Sequence, residues 1–331
     1  MKDILIFRTD RIGDLLLYLP FINCLKRNYP TSKVSIVCSE KNFNYANNLQ
    51  LFDQVYLYPK NFIQKIILFC KLFSKKDLIA ALDGKKRSIY FSILMPSRSK
   101  IIFSPSLFIK KFFFSFFNHS FYIDYNQSII SYQKEALSFF NLVLLEEDYL
   151  LKHKAINKLN YKMPESKDPI LLFNFDEKWI WNSYIKTFEN IEPSYEELIS
   201  FIKEIIIKKK YTLFISDGLV SSSLFEKLIS ESNKINEFVY EKIIEGNNKF
   251  YLFRKIDIYD LNYLISCSSI VLTCHGAPSH LAACNGKKAI DIIDGNDGFL
   301  VHKSCSGHFK KTISLTREKF SNLSIKILSH L

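Results

Sequence analysis

Around Gly13-Asp14 the apolar pattern changes period, and this change constrains the fold more than any other feature of the chain. Ile4 to Phe7 is a short apolar run bounded by Lys2-Asp3 and Arg8, the pattern of a buried strand. Beyond Asp14, the residues Leu15, Leu16, Leu19, Ile22 and Leu25 fall on one side of an α-helix, interrupted by Pro20 and ended by Asn28-Tyr29-Pro30. Val34 to Cys38 then reads as a second strand. Strand, helix and strand in succession imply parallel pairing through a right-handed crossover.

The alternation continues. Val55-Tyr56-Leu57, Leu78 to Leu82 and Ile101-Ile102-Phe103 have the look of short strands, and residues 128–147 of a long helix. A polar, lysine-bearing tract with Pro164 and Pro169 places a domain boundary near 155–168. The pattern then restarts. Strands are expected at Ile170 to Phe173, Tyr211 to Ile215, Phe238 to Tyr240, Ile270 to Leu272 and Ala289 to Ile293. Helices are expected behind the capping box Ser194-Tyr195-Glu196-Glu197, at Asp260 to Cys267, at Ser279 to Asn285 and from Thr316 onward. The fold class expected is α/β, two tandem Rossmann-like doubly wound domains, residues 1–160 and 161–331, with the last helix free to pack back on the first. A length of 331 residues accommodates two such cores.

A formal net charge of +12 favours anionic partners. Nucleic acid is the weakest of these, because the lysines are dispersed and no reading motif accompanies them. The seven cysteines have no ligand or redox spacing, the signature of free thiols in a reducing, cytoplasmic setting. No apolar run is long enough to span a bilayer, and the start lacks the pattern of a signal peptide. Residues 61–75 and 107–117 are apolar with lysines set among them, which suits either helices docked on the sheet or a surface resting on a membrane.

In doubly wound sheets ligands bind beyond the carboxyl ends of strands, so three loops matter most. The first, Arg8 to Asp14, has one glycine and is neither a dinucleotide fingerprint nor a Walker loop. Asp14 suits either a helix cap or a general base, and Gly13 either a tight turn or a close approach to ligand. The second, Asn174 to Trp179, offers Lys178 as a phosphate partner or as a plain surface lysine. The third, Thr273 to His280, has small residues and Pro278 opening a helix, an anion seat of free N–H groups. His275 and His280 do not have the spacing of a helical zinc pair, so no metal is expected. His302 and His308 flanking Cys305 form a weaker constellation.

In this order the three loops resemble the lipopolysaccharide heptosyltransferase family, glycosyltransferase family 9. Phe7 to Asp14 followed by Leu15-Leu16-Leu17 and Leu19-Pro20 is similar to the family's opening signature. Asp83-Gly84 with Arg87-Ser88 resembles its acceptor-side segment, Asp176-Glu177-Lys178 its donor-phosphate lysine, and His275 to Ala283 its Asp-Thr-Gly-x-x-His-Leu-x-Ala stretch. The resemblance implies a GT-B architecture with an N-terminal acceptor domain and a C-terminal nucleotide-sugar domain. It implies Asp14 as catalytic base, and Arg11, Gly13, Asp83, Lys86 and Arg87 on the acceptor side. Lys178, His275, Gly276, Ala277, Pro278, Ser279 and His280 fall on the donor side. His275, Gly276 and Ala277 stand where the family has Asp, Thr and Gly, so the donor sugar meets an imidazole in place of a carboxylate.

The activity so implied is inverting, metal-independent transfer of heptose or a related sugar, from a nucleoside diphosphate to a lipopolysaccharide or other surface-glycan acceptor. It needs no cofactor, and it would take place in the cytoplasm or at the cytoplasmic face of the inner membrane. The competing expectations are a transferase of another sugar, such as a hexose for capsule or O-chain, and an inactive nucleotide-binding homologue.

Overall fold

The computed structural model describes residues 1–151, 163–181, 188–295, 297–305 and 307–331, and among these the first unit is built mainly on six parallel strands and seven α-helices. In chain order they are β1 (Asp3–Arg8), α1 (Ile12–Leu17), α2 (Leu19–Asn28), β2 (Lys33–Cys38), α3 (Phe43–Asn48), β3 (Gln54–Leu57) and α4 (Phe62–Leu72). There follow β4 (Lys76–Ala81), α5 (Lys86–Leu94), β5 (Ser97–Ser104), α6 (Leu107–Phe113), β6 (His119–Tyr122) and α7 (Ile129–Ser138). The strand order is β3-β2-β1-β4-β5-β6, with every pairing parallel. The order reverses beside β1, which puts the loop after β1 at a topological switch point.

The helix expected across Leu15 to Leu25 is two helices. Tyr18 leaves helical geometry (φ −100°, ψ 3°) just ahead of Pro20, whose nitrogen has no hydrogen to continue the ladder. The helix expected over 128–147 stops at Ser138, and Asn141 turns the chain at φ +56°. On one face of the sheet, α4 seats Leu68 and Leu72 among Leu5, Phe7, Val37 and Ile79. On that same face, since Ala81 lies two residues beyond Ile79 on β4, Ile89 of α5 and Ile109 of α6 pack on Ala81 and Ile102.

The second unit holds β7 (Ile170–Phe175), α8 (Tyr195–Lys203), β8 (Thr212–Asp217), α9 (Ser223–Ser230), β9 (Asn233–Lys234), β10 (Val239–Glu245), β11 (Asn248–Phe253) and α10 (Ile258–Cys267). It continues through β12 (Ile270–Cys274), α11 (Ala277–Cys284), β13 (Lys288–Ile293), α12 (Asp297–Ser304), β14 (Thr312–Thr316) and α13 (Phe320–His330). Its sheet runs β14-β13-β12-β7-β8-β11-β10-β9; the first six strands are parallel, and β10 pairs antiparallel with both β11 and β9. Both sheets are doubly wound α/β sheets, as the alternating periods imply. Four of the described strands go beyond the sequence expectation: β6, β9, β11 and β14. Trp179, Phe173, Phe175 and Phe201 centre the second core.

Phe320, Leu323 and Ile327 of the closing helix, α13, enter the second unit's own core. The chain divides into residues 1–155 with 303–308 and residues 156–302 with 309–331. The simple split expected at 160/161 therefore omits a short excursion at the end of α12, and its boundary lies outside the described residues.

Candidate functional site

In the first unit the loop after β1 is braced from beneath. Arg8 is buried; its Nε donates to the Asp14 carbonyl at 3.0 Å, its guanidinium donates to the Leu82 carbonyl, and it lies 3.1 Å from the Asp10 carboxylate. Burial pushes the Asp10 carboxyl well above the ordinary carboxylate range, against the pull of Arg8. Thr9 donates from its N–H and from Oγ1 to Asp83 Oδ2, at 2.9 and 2.5 Å. Ser88 Oγ donates to the same oxygen at 2.7 Å, and the Lys85 N–H donates to Oδ1 at 3.0 Å. Arg87 donates to Thr9 Oγ1 at 2.7 Å and to the Thr9 carbonyl.

Two residues expected on the acceptor side, Asp83 and Arg87, thus act within the protein, fixing the loop that carries Asp14. Gly84 between them sits at φ +59°, where a Cβ would also meet the Phe103 carbonyl oxygen at 2.9 Å, so only glycine fits. Gly13 takes no left-handed conformation and is buried inside α1, so of its two expected roles the tight turn is not the one the backbone adopts. Lys86 lies with its Nζ 4.8 Å from the Phe108 ring centre, and Arg11 is exposed. Asp14 sits in the first turn of α1. Its Oδ2 accepts the Arg11 N–H at 3.2 Å, its Oδ1 is 3.7 Å from Arg8, and its side chain is 44% exposed. It is therefore both a cap and an accessible carboxylate backed by a buried cation.

In the second unit Lys178 Nζ donates to the His275 carbonyl at 3.0 Å and lies 3.4 Å from Asp176. Burial works against the Lys178 charge, yet Asp176, Cys274 and Glu177 outweigh it and hold its pKa above the ordinary value. This lysine is a placed cation, in contrast to a surface one. Arg317 secures the loop by donating to the Lys178 carbonyl at 2.7 Å and to the Glu189 carbonyl at 3.1 Å.

The anion seat expected at α11 is narrower than its sequence suggests. Gly276 N–H donates to Ser279 Oγ at 3.2 Å, Ser279 and His280 N–H both donate to the Gly276 carbonyl, and Pro278 has no N–H. Among the described residues this leaves Ala277 as the first-turn amide open to a ligand, together with the positive end of the helix. Pro278, Ser279 and His280 are buried, and so support the seat more than line it.

His275 Nδ1 is 2.7 Å from Asp291 Oδ2, and Asp291 is fully buried. Ser279 Oγ donates to the other oxygen, Oδ1, at 2.8 Å. His302 joins this group: a ring nitrogen lies 2.7 Å from Ser314 Oγ, its Nε2 is 3.9 Å from Asp291, and its ring stacks on Phe309. Burial lowers the His302 pKa, against the pull of Asp291. Sequence reasoning missed Asp291, Asp10 and Arg317. The visible trace of Asp291 is one acid within the apolar run Ala289 to Ile293. No group of three or more His, Cys, Asp or Glu among the described residues has a metal-binding arrangement.

No protein-family model matches the sequence, and no curated protein does. Solved structures do match over nearly the whole chain. E. coli heptosyltransferase WaaC with ADP superposes with a TM-score of 0.66 at 12% identity, covering 99% of this chain and 100% of that one. A glycosyltransferase of family 9 from Veillonella parvula DSM 2008 gives 0.62 at 12% identity, covering 99% and 89%. UDP-GlcNAc 2-epimerase from Methanocaldococcus jannaschii gives 0.56 at 12% identity, covering 100% and 92%. At such identities the likeness shows the fold: the chain has the two-unit α/β architecture of GT-B type that these proteins share.

Proposed function

We propose that the protein is a glycosyltransferase that moves a sugar from a nucleoside diphosphate to a surface-glycan acceptor, with inversion at the anomeric carbon and without a metal. The observation that carries this reading is Lys178, an ammonium held on the His275 carbonyl beside the first turn of α11. A diphosphate leaving group gains charge on its oxygens as the glycosidic bond breaks. A fixed cation and the positive end of a helix stabilise that charge without a metal. That the neighbouring E. coli heptosyltransferase was solved with ADP and with ADP-2-deoxy-2-fluoro heptose supports a nucleotide sugar as donor.

Asp14 is the base. An acceptor hydroxyl has a pKa far above 7, so Asp14 orients it and takes its proton as the new C–O bond forms. The half-exposed carboxylate suits this, and Arg11, Lys86 and the exposed Lys85 suit an anionic acceptor such as a lipopolysaccharide precursor. Heptose or a close relative is the first sugar to test. A hexose is the second reading, because the imidazole of His275 stands in place of the carboxylate in the family that the sequence resembles and its Nδ1 is already committed to Asp291, so the donor meets a different group there.

No described helix is long and apolar enough to cross a membrane. We place the protein at the cytoplasmic face of the inner membrane through the outward side of α4, α5 and α6. Phe62, Ile63, Ile66 and Ile67 of α4, Tyr90 and Leu94 of α5, and Leu107, Phe108 and Phe112 of α6 are exposed there, with Lys71, Lys86, Lys110 and Lys111 beside them. Apolar side chains with lysines suit an anionic lipid surface.

The test is turnover by the purified protein with EDTA present. ADP-heptose is offered first, then UDP- and GDP-hexoses, each with a lipopolysaccharide precursor, and the product anomer is read by NMR. A donor that binds and never turns over with any acceptor marks a binding protein instead. Retention of configuration removes the single-displacement mechanism.

A further inference from the structure

A carboxylate in the middle of an interior strand is costly unless it is paired, and Asp291 is fully buried on β13 between β12 and β14. Its pairing is polar on both oxygens, with Ser279 Oγ on Oδ1 and His275 Nδ1 on Oδ2. A carboxylate only accepts, so at 2.7 Å the Nδ1 of His275 carries the proton. The two ring nitrogens point apart. Nε2 is therefore directed away from the buried acid, it takes no protein partner among the described residues, and the ring is 22% exposed. Lys178 is bonded to the carbonyl of the same residue.

Resting on the glycosyltransferase reading, we propose that Asp291 is a positioning residue that locks His275 with Nε2 outward as a ligand for the donor's diphosphate, and that His275 takes up a proton at Nε2 when the diphosphate binds. Neutral, Nε2 is an acceptor and faces phosphate oxygens with a lone pair; protonated, it donates a charge-assisted hydrogen bond to them. The buried carboxylate behind Nδ1 balances the added charge. The ionisable groups around the ring favour different states. Asp291 on β13 favours the proton. Lys178 after β7, His280 on α11 and His302 on α12 oppose it when charged. Burial holds the His302 pKa down, so near neutral pH that ring is largely uncharged and opposes it little. Asp291 thus contributes to donor binding without touching the donor.

Calorimetry with ADP, UDP and GDP, in buffers of different ionisation enthalpy, reads the proton directly. Wild type should take up about one proton per nucleotide above pH 7. His275→Gln should abolish the uptake and weaken binding about tenfold at pH 6.5. Asp291→Asn should do the same, and the double variant should be no worse than His275→Gln alone, because one residue acts through the other. Nitrogen NMR of the unliganded protein should show His275 protonated at Nδ1, independently of any nucleotide. If Asp291→Asn does not fold, His275→Gln and the NMR tautomer decide the matter. Proton uptake that survives in His275→Gln, or a proton on Nε2 alone, overturns the proposal. Nucleotide binding to wild type without proton uptake overturns it while leaving the glycosyltransferase reading in place. No binding of any of the three nucleotides overturns both.

Discussion

Lys178 and Gly276 approach so closely that a Cβ built on the glycine would lie 2.3 Å from the Lys178 Nζ. The glycine backbone is extended, with φ 165°, so alanine meets no backbone strain there. Gly276→Ala should therefore act through Lys178 alone, by pushing a flexible side chain off the His275 carbonyl. The expected result is a donor KM raised about tenfold with unfolding temperature nearly unchanged. A donor KM equal to that of the parent would show that the lysine is not used where it sits.

Asp14 serves its helix and, in the proposed mechanism, the acceptor. Asp14→Asn separates the two roles. Asparagine keeps an oxygen for the Arg11 N–H, 3.2 Å away in the parent, but is not a base. Turnover should fall about 10²–10⁴-fold with donor affinity within about twofold and stability little changed. Full activity in this variant would leave Asp14 as a cap and nothing more.

The alternation of strand and helix periods carries both sheets, because parallel interior strands are short continuous apolar runs, and their length and the polar or turn residues that bound them set them apart from the longer helical segments. What escaped detection lay at edges or in hairpins. β14 and β6 are half-exposed outer strands, and β11 is set up by a turn at Gly246 and pairs antiparallel with β10. The motif loops were legible as positions, whereas their division of labour was not. Asp83 braces Thr9 because β4 lies beside β1, and Asp291 reaches His275 because register sets it opposite Thr273. Such partners are far apart in sequence, and only sheet order joins them.

The exposed side of α4, α5 and α6 gives a membrane prediction. Ile67→Glu, Leu94→Glu and Phe108→Glu replace side chains that are already exposed, so the fold should change by little. Together they should weaken binding to anionic vesicles by at least about tenfold, by removing apolar contact and adding repulsion. Wild-type binding should also weaken as salt is raised. Equal partitioning of parent and variant, or equal binding to neutral vesicles, would rule out this surface as the docking face.

Asp217, at the end of β8, gives a pH dependence of stability. Burial pushes its carboxyl up to about 6 from the ordinary 3.8, although its oxygens accept the Lys255 N–H at 3.1 and 3.3 Å. Above about 6 the acid is ionised in both folded and unfolded chains, and the folded chain alone carries the cost of burying the charge. As pH falls through 6 towards 3.8 the folded chain binds the proton first, so this residue's contribution rises on acidification and is complete below 3.8. Asp217→Asn keeps an acceptor for Lys255 and has no charge to bury. Near pH 8 it should be more stable than the parent by about 1–3 kcal/mol, the upper figure being the full shift without loss of the charge-assisted hydrogen bond. The gain should shrink between pH 6 and pH 4, as followed by thermal unfolding across that range. A gain that is constant with pH would mean that the carboxyl is already solvated in the folded chain.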